Sequence, residues 1–333
     1  MESKGSVPPD RRKRLYLGID AGQTHTEAVL VDEDGITLAR GVGGPSHIQG
    51  ADMEEVFQES LLSALKAMNA GDVAANIVSV GLGVTGLGIP GKKQAVLSSL
   101  RRMFPNASVF MDNDAVVHHW GAAGFRDGSS ILAGTGTIAY GEYNGRSCRL
   151  GGFGYLFGDE GGGFWIGLTA VRQAIRAVEG RAPATVLVKV VEDYFGVENV
   201  KQVPGLVYSR NSVDVRRIAE LAPLVCREAA NGDETAKTIV VGAGDELSGL
   251  AVQLLRNLNV PPGEAYPIYR LGGIWKSSDL LNRTFMEKVG ALYPNVVWAV
   301  PQYPPAEGAA MMARMKHPAS ASSFENQDGV KRE

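Results

Sequence analysis

One segment near the start of the chain combines a glycine turn, a carboxylate and hydroxyl side chains between two apolar runs. It is Leu15–Asp32, with the sequence LYLGIDAGQTHTEAVLVD, in which Asp20 and Gly22 precede Gln23 and Thr24. The alternating apolar runs predict two strands joined by a hairpin. The turn amides and hydroxyls could bind an anion, and a carboxylate beside an anion favours a cation between them. The segment therefore indicates a site for Mg²⁺ and phosphate, although an ordinary glycine hairpin has the same pattern.

A second hairpin of the same kind is predicted over Ser130–Gly141, which reads SILAGTGTIAYG. Two such hairpins in one chain predict a duplicated fold with a nucleotide held between its halves. The chain has neither a GxxxxGK[ST] loop nor a GxGxxG turn that opens a helix, which excludes the P-loop and dinucleotide-binding classes. The turn of the second hairpin consists of Gly134, Thr135, Gly136 and Thr137.

Three polar residues, Asp112-Asn113-Asp114, end a predicted strand and begin a predicted helix. A carboxylate at the carboxyl end of a strand lies where open α/β sheets bind ligands. One of the three residues could cap the helix, but three polar groups exceed that need. His118 and His119 follow on the helix, and we interpret them as packing or surface residues because no third ligand has the spacing of a metal site.

The most unusual segment is Gly151–Gly163, which reads GGFGYLFGDEGGG. Asp159 and Glu160 stand among glycines just before a predicted helix, so a flat polar ligand could reach both carboxylates and the helix N-terminus. A flexible loop that ends in a helix cap would have the same composition. The aromatic residues of the segment could form an apolar wall: Phe153, Tyr155 and Phe157.

The second half of the chain is predicted to be largely helical before it returns to strand at Tyr266–Leu271. Gly272 and Gly273 follow that strand and could admit a flat ligand such as adenine, although a plain strand-to-helix turn explains them equally well. The predicted helical layer consists of Ala184–Phe195, Val213–Asn231 and Asp233–Leu258.

Length and composition restrict the class of protein. The chain has 333 residues, 44% hydrophobic and 21% charged, which is enough for two domains with their own cores. The net charge of −3 gives no reason to expect nucleic acid or an anionic membrane as a partner. The two cysteines, Cys148 and Cys226, favour a reducing compartment, and we expect a cytoplasmic protein without a signal peptide or a membrane-spanning run.

Together these segments resemble the N-acetylglucosamine kinase family, also known as the BadF/BadG/BcrA/BcrD ATPase family, within the acetate-kinase, sugar-kinase and actin-like ATPase superfamily. The resemblance covers about Leu15 to Met315 and keeps the family's order of motifs. The family's D-G-G-G-T-x-T, N-D-A, G-T-G-[ST], G-D-E-G and G-G motifs stand here as Asp20–Thr26, Asn113–Ala115, Gly134–Thr137, Gly158–Gly161 and Gly272-Gly273.

The resemblance implies an α/β fold of two actin-like (ribonuclease H-like) domains with a nucleotide and sugar cleft between them. We expect the first domain over residues 15–118, completed by a helix at 305–316, and the second over 119–304 with the helical layer. Residues 1–14 and 317–333 are expected to be flexible tails. The implied function is an ATP-dependent kinase that uses Mg²⁺ and phosphorylates the 6-hydroxyl of N-acetylglucosamine or glucosamine, with N-acetylmuramic acid as a further acceptor candidate. A homodimer that binds small molecules, and neither nucleic acid nor membrane, is expected.

By the same resemblance, Asp114 is the base that takes the proton from the sugar hydroxyl, and Asp20 orients Mg²⁺ through water. The departures from the family motifs are Phe153 in place of Trp, His47 where relatives often carry Asn, and Gln23 in place of Gly, and the first two leave the identity of the sugar open. The residues expected at the nucleotide are Asp20, Gly22, Gln23, Thr24, Gly134, Thr135, Gly136, Thr137, Gly272 and Gly273. Those expected at the sugar are His47, Asn113, Asp114, Phe153, Gly154, Asp159 and Glu160.

Two other functions are compatible with the same fold. An ATPase that activates 2-hydroxyacyl-CoA dehydratases needs cysteines that bind an iron–sulfur cluster, and Cys148 and Cys226 lack that spacing. A non-catalytic sugar sensor usually carries a DNA-binding helix-turn-helix, for which about fourteen residues before the first strand are too few. Asp114, as a working base, also favours the kinase.

Overall fold

The computed structural model of the chain describes residues 14–22, 25–46, 53–68, 74–208 and 213–317. They form two compact units, one within Met1–Arg126 and Pro301–Glu333 and the other formed by Asp127–Val300. The boundaries predicted from sequence, at 118/119 and 304/305, differ from these because the helix that carries residue 118 continues to Ala123 within the first unit. Apart from Arg14 and His317, the predicted flexible tails lie outside the described residues.

The described residues contain ten strands and eleven α-helices. The strands are β1 (Leu15–Ala21), β2 (Thr26–Val31), β3 (Thr37–Gly43), β4 (Ile77–Val84), β5 (Ser108–Asn113), β6 (Gly128–Ala133), β7 (Thr137–Tyr143), β8 (Arg146–Gly151), β9 (Pro267–Leu271) and β10 (Val297–Ala299). The helices are α1 (Met53–Ala67), α2 (Lys92–Met103), α3 (Asp114–Ala123), α4 (Gly163–Val178), α5 (Leu187–Phe195), α6 (Val203–Val207), α7 (Val215–Ala219), α8 (Ala222–Ala230), α9 (Glu234–Leu258), α10 (Asp279–Leu292) and α11 (Pro305–Lys316).

The first unit is built on a five-stranded sheet in the order β3-β2-β1-β4-β5. β2 runs antiparallel to β1 and β3, whereas β4 and β5 run parallel to β1. Both faces of β1 are buried, which explains its almost entirely apolar sequence. Leu17 and Ile19 pack on the side of α1 and α2, and Tyr16 packs with the alanines of α11 on the other side.

The second unit repeats this arrangement. Its sheet has the order β10-β9-β6-β7-β8, with β6, β7 and β8 antiparallel and with β9 and β10 parallel to β6. Read from β8, the order and directions match those of the first sheet read from β3. The predicted duplication and the predicted pair of hairpins are therefore confirmed.

α9 is the central core helix of the second unit. An 18-residue window of this helix is long and apolar enough to cross a bilayer, by length and composition alone. More than half of that window is buried within the structure, including Leu247, Leu254 and Leu255. The side chains of α9 therefore serve as core, which a length criterion alone does not reveal.

The helical layer differs from its predicted boundaries in two places. The single helix predicted over Val213–Asn231 is divided into α7 and α8, and Pro223 occupies the first turn of α8, where its missing N–H costs no helical hydrogen bond. The helix predicted from Ala184 begins at Leu187. Strand β8 was not predicted, because its sequence RSCRLG is polar and lies at the edge of the sheet.

Gly18 gives a test of the packing between β1 and α11. A Cβ atom at this position would lie 2.0 Å from the Ala306 carbonyl oxygen and 2.3 Å from the Ala310 nitrogen. We expect Gly18→Ala to lower the free energy of unfolding by about 1–3 kcal/mol, because the strand and the helix must separate. Urea denaturation measures this change.

The matched control is Gly88→Ala in the same unit, where a Cβ atom would have no neighbour within 4 Å. Its free energy of unfolding should stay within about 0.5 kcal/mol of the wild-type value. Equal stabilities of the two variants would contradict the close contact between β1 and α11.

Candidate functional site

The first hairpin turn joins β1 and β2 and is tied to a neighbouring loop. Ala21 pairs with Thr26, and the Gly22 N–H donates to the His25 carbonyl oxygen over 3.1 Å. The Gly22 carbonyl oxygen accepts from both the backbone N–H and the hydroxyl of Ser46, at 3.2 and 3.1 Å. The predicted hairpin is confirmed, and its phosphate-binding role stays a prediction. Three residues expected at the ligands lie outside the described residues: Gln23, Thr24 and His47.

Asp20 lies near the carboxyl end of β1 and is held by a histidine of α3. Its Oδ1 is 2.9 Å from Nε2 of His118, and the two side chains are only 14% and 13% exposed. Burial favours the neutral imidazole, yet the charge and hydrogen bond of Asp20, together with the charge of Asp114, raise the pKa of His118 above its usual value. His118 was interpreted from sequence as a packing or surface residue, and that interpretation missed this contact.

Asp114 begins α3, and its carboxylate is fixed from two sides. Oδ2 accepts from the Thr85 hydroxyl at 2.7 Å, and Oδ1 accepts from the Ala115 N–H at 2.9 Å. Asn113 is the N-cap, since its side-chain oxygen also accepts from the Ala115 N–H. The cap explains Asn113 and leaves Asp114 oriented at the edge where the parallel strands of the first sheet end.

A buried lysine supports the residue that holds Asp114. Lys92 is 2% exposed, and its ammonium donates to the Thr85 carbonyl oxygen over 2.7 Å. Burial lowers the pKa of Lys92, and the charge of Asp114 opposes that shift. Lys92 is not predicted from the sequence as a site residue, because a lysine at the start of an amphipathic helix ordinarily faces solvent.

Backbone hydrogen bonds join the turn of the second hairpin to the start of α4. The carbonyl oxygens of Gly134 and Thr135 accept from the N–H groups of Gly163 and Phe164, at 2.8 and 2.9 Å. The N-terminus of α4 was expected to face a ligand, but these two amides are already occupied. The bonds instead fix the conformation of the turn Gly134–Thr137.

Asp159 is bonded to the same turn, so the structure brings two of the predicted motifs together. Its Oδ1 accepts from the Thr137 N–H at 3.0 Å, and the Thr137 hydroxyl donates to the Glu160 carbonyl oxygen over 3.1 Å. Burial raises the pKa of Asp159; the hydrogen bond from Thr137 opposes this shift and the charge of Glu160 adds to it. The Glu160 residue itself is exposed.

The aromatic residues before Asp159 divide into a packed one and two exposed ones. Tyr155 packs against Phe164, with ring centroids 5.0 Å apart. Phe153 and Phe157 are 71% and 81% exposed. Of the three aromatic residues predicted to form an apolar wall, Phe153 and Phe157 are therefore the two whose rings are exposed and could contact a ligand. Gly154 between them has a φ of +83° and open space where a Cβ atom would stand.

The two positions after β9, Gly272 and Gly273, are occupied by glycine for different reasons. Gly272 has a φ of +100°, and a Cβ atom would lie 2.3 Å from the Ala133 carbonyl oxygen, so close packing against β6 requires a glycine there. A Cβ atom at Gly273 would have no neighbour within 4 Å. Packing therefore explains Gly272, and Gly273 is the one of the two that leaves backbone open to a ligand.

Among the described residues, the Asp20 carboxylate is the group expected to interact with Mg²⁺. Within the described part of the chain, no three His, Cys, Asp or Glu side chains converge as a metal site. Mg²⁺ commonly binds one or two carboxylates and completes its shell with water and substrate phosphates. His118 engages Oδ1 of Asp20, and Oδ2 makes no hydrogen bond to another described residue. This donor set fits an ion bound mainly by a nucleotide.

The sequence profile of the BadF/BadG/BcrA/BcrD ATPase family matches residues 17–313. The chain belongs to this family. The match includes both hairpins, Asp114, Asp159 and the Gly272-Gly273 pair, so each described site residue lies within the region that defines this ATPase family.

Relatives with assigned names extend over nearly the same length. An N-acetyl-D-glucosamine kinase from Dictyostelium discoideum is 28% identical over an alignment of 312 residues that covers 90% of this chain and 98% of the relative. An N-acetylmuramic acid/N-acetylglucosamine kinase from Clostridium acetobutylicum is 27% identical over 305 residues, again 90% and 98%. The solved structure of a candidate N-acetylglucosamine kinase from Chromobacterium violaceum matches with a TM-score of 0.71 at 25% identity, covering 90% and 99%. These likenesses confirm the predicted actin-like α/β fold.

The contact between Asp159 and the second hairpin turn can be tested by two glycine variants in that turn. A Cβ atom at Gly136 would lie 2.4 Å from Cγ of Asp159, whereas one at Gly134 would have no neighbour within 4 Å. We expect Gly136→Ala to displace the carboxylate, break its bond to the Thr137 N–H and lower the free energy of unfolding by about 1–3 kcal/mol.

Gly134→Ala is the control, and its free energy of unfolding should change by no more than about 0.5 kcal/mol. Thermal and urea unfolding of the ligand-free variants measure both effects. A Gly136→Ala variant as stable as the control would show that Asp159 is not held by this turn.

Proposed function

We propose that the protein is an ATP-dependent kinase that phosphorylates the 6-hydroxyl of an amino sugar, either N-acetylglucosamine or glucosamine. The observation that carries the proposal is the Asp114 carboxylate, which is fixed by Thr85 at the carboxyl edge of the first sheet and is not needed as the helix cap. The activities named for the relatives from Dictyostelium and Clostridium support the class of acceptor.

In the proposed reaction Asp114 is the general base. Each of its oxygens accepts one hydrogen bond and keeps a second lone pair, so the carboxylate can accept the proton of the sugar hydroxyl. That hydroxyl oxygen forms the new bond to the γ-phosphorus as the bond to the ADP oxygen breaks, and the proton passes to Asp114. Phosphoryl transfer of this kind depends mainly on positioning and charge neutralisation.

The proposed nucleotide contacts come from both hairpin turns. In the first unit they are Gly22 and Asp20. The Asp20 carboxylate would bind a metal-bound water. Bound Mg²⁺ supplies neutralisation of the phosphate charge. The residues of the second unit that we assign to the nucleotide are Gly134, Thr135, Gly136, Thr137 and Gly273. Gln23 and Thr24 are also assigned to the nucleotide, because they belong to the first family motif.

The proposed sugar contacts of the second unit are Asp159, Glu160, Gly154 and Phe153. The bond from Thr137 holds Oδ1 of Asp159, and its other oxygen can accept from a ring hydroxyl or from the ammonium of glucosamine. The exposed Phe153 ring suits an acetyl methyl group. We rank N-acetylglucosamine slightly before glucosamine, with N-acetylmuramic acid as a larger alternative.

Both cysteines are free thiols, which suits the reducing cytoplasm, where ATP is available. Burial raises the pKa of Cys226 to about 11, so this thiol is unreactive. We therefore place the proposed kinase in the cytoplasm. The homodimer expected from the sequence remains a prediction.

A comparison of acceptors tests the proposed class of sugar. We expect kcat/KM for N-acetylglucosamine or glucosamine to exceed that for glucose by about tenfold or more, because a site that bonds one polar group discriminates strongly against its absence. Release of ADP measures turnover, and NMR of the product identifies the phosphorylated hydroxyl. Muramic acid derivatives complete the panel.

A preference for glucose would show that the amino-sugar assignment is wrong while the kinase assignment stands. No turnover with any sugar would favour a non-catalytic sugar sensor.

Replacement of the proposed base tests the chemistry. Asp114→Asn should lower kcat by about a hundred- to ten-thousandfold, since the amide cannot accept the proton. Affinities for sugar and nucleotide, measured by calorimetry, should change little. Asp112→Asn is the control in the same segment, because Asp112 bonds its neighbour's N–H and has no assigned role. Near-wild-type kcat for Asp114→Asn would remove Asp114 from the mechanism.

A further inference from the structure

We propose that His118 is a positioning residue for Asp20: its Nε2–H fixes the plane of the carboxylate and thereby directs Oδ2 toward the metal–nucleotide site. This inference rests on the proposed function, because it assumes that Asp20 serves a Mg²⁺-bound nucleotide. It adds a residue that the family motifs named above do not contain and that sequence reasoning had set aside.

The geometry places a donor and an acceptor from distant parts of the chain in one buried pair. Nε2 of His118 and Oδ1 of Asp20 are 2.9 Å apart, and both side chains are more than four-fifths buried. β1 supplies the carboxylate and α3 supplies the imidazole. A carboxylate with one oxygen bonded in this way cannot rotate about its Cβ–Cγ bond without losing that bond, so the direction of Oδ2 is set.

The same helix also carries the proposed base. Asp114 and His118 are four residues apart, which places them one turn apart on the same face of α3. A single rigid element therefore positions the base directly and Asp20 through His118. This arrangement would keep the two carboxylates in a fixed relation within the first unit.

A role in packing alone does not explain the histidine. Nδ1 of His118 is buried and has no hydrogen-bond partner among the described residues, and an unsatisfied buried nitrogen is unfavourable. Apart from Asp114 one turn earlier, its neighbours on α3 are small or apolar, namely Val117, Gly121 and Ala122. An apolar side chain would therefore fill the position without that cost. The contact from Nε2 to Asp20 is the interaction that a histidine provides here and an apolar residue would not.

Two substitutions of similar length separate the hydrogen bond from the bulk of the side chain. His118→Gln keeps an N–H donor at about the reach of Nε2, and His118→Met fills similar space without a donor. The probe is ADP, titrated by calorimetry once with Mg²⁺ and once with EDTA. Residues that orient the groups around a metal ion typically contribute about ten- to a hundredfold in affinity.

We expect His118→Met to weaken the binding of ADP in Mg²⁺ by about tenfold or more. Binding of ADP in EDTA should be unchanged, and His118→Gln should bind like the wild type in both conditions. In the Asp20→Ala background, His118→Met should cause no additional loss, because the two residues act through one contact. Thermal unfolding confirms that each variant is folded. If the Met variant does not fold, His118→Asn replaces it, since its amide is too short to reach Asp20.

The outcomes separate this inference from the proposed function. If Mg²⁺ does not strengthen the binding of ADP to the wild-type protein, the proposed function fails and the inference fails with it. If Mg²⁺ strengthens the binding of ADP to the wild type and to His118→Met by the same factor, only the positioning role of His118 is wrong. If His118→Met weakens the binding of ADP equally in Mg²⁺ and in EDTA, His118 has only a structural role and the inference is wrong. The same conclusion follows if His118→Gln and His118→Met lose the same affinity for ADP.

Discussion

The first unit depends on how closely α11 approaches its sheet. A Cβ atom at Gly81 of β4 would lie 1.9 Å from the Ala309 carbonyl oxygen, and Gly18 of β1 is in similar contact with the same helix. Two glycines in neighbouring strands therefore let a helix from the other end of the chain lie directly on the sheet. α3 packs against α11 through Gly121 and Gly308, and a Cβ atom at Gly308 would lie 2.5 Å from Cα of Gly121. The positions of Asp114 and His118 follow from this stack of close contacts.

The two units share one topology but use their hairpins differently. In the first, the turn is anchored to Ser46, and Asp20 is held by a helix that belongs to the same unit. In the second, the turn Gly134–Thr137 is bonded to the start of α4, and Asp159 is bonded to the turn. One hairpin thus presents a carboxylate from its own strand, and the other receives one from the loop that follows it. A duplicated scaffold can diverge in this way because turns tolerate new partners while the strand order stays fixed.

The sequence was informative where local patterns determine structure. Alternating apolar residues with glycine turns predicted both hairpins, and the order of motifs predicted the family. β8 was not predicted because an edge strand can be polar, and one predicted helix is divided into α7 and α8 because Pro223 begins a new helix. His118 and Lys92 were missed for a different reason. Their partners, Asp20 and Thr85, are brought to them by tertiary packing, and no spacing within a helix reveals a partner in another element.

Thr85 shows why the support of the proposed base matters as much as the base itself. Its backbone N–H donates to the Ala21 carbonyl oxygen at the end of β1, its own carbonyl oxygen accepts from the Lys92 ammonium, and its hydroxyl donates to Asp114. One residue therefore joins the first hairpin, a buried cation and the carboxylate. Burial of Lys92 is unfavourable by itself, and the nearby charge of Asp114 and the bond to Thr85 offset that cost. Thr85 therefore links the first hairpin turn, to which we assign the metal-bound nucleotide, with the proposed base, and a shift of that turn would be expected to displace the carboxylate as well.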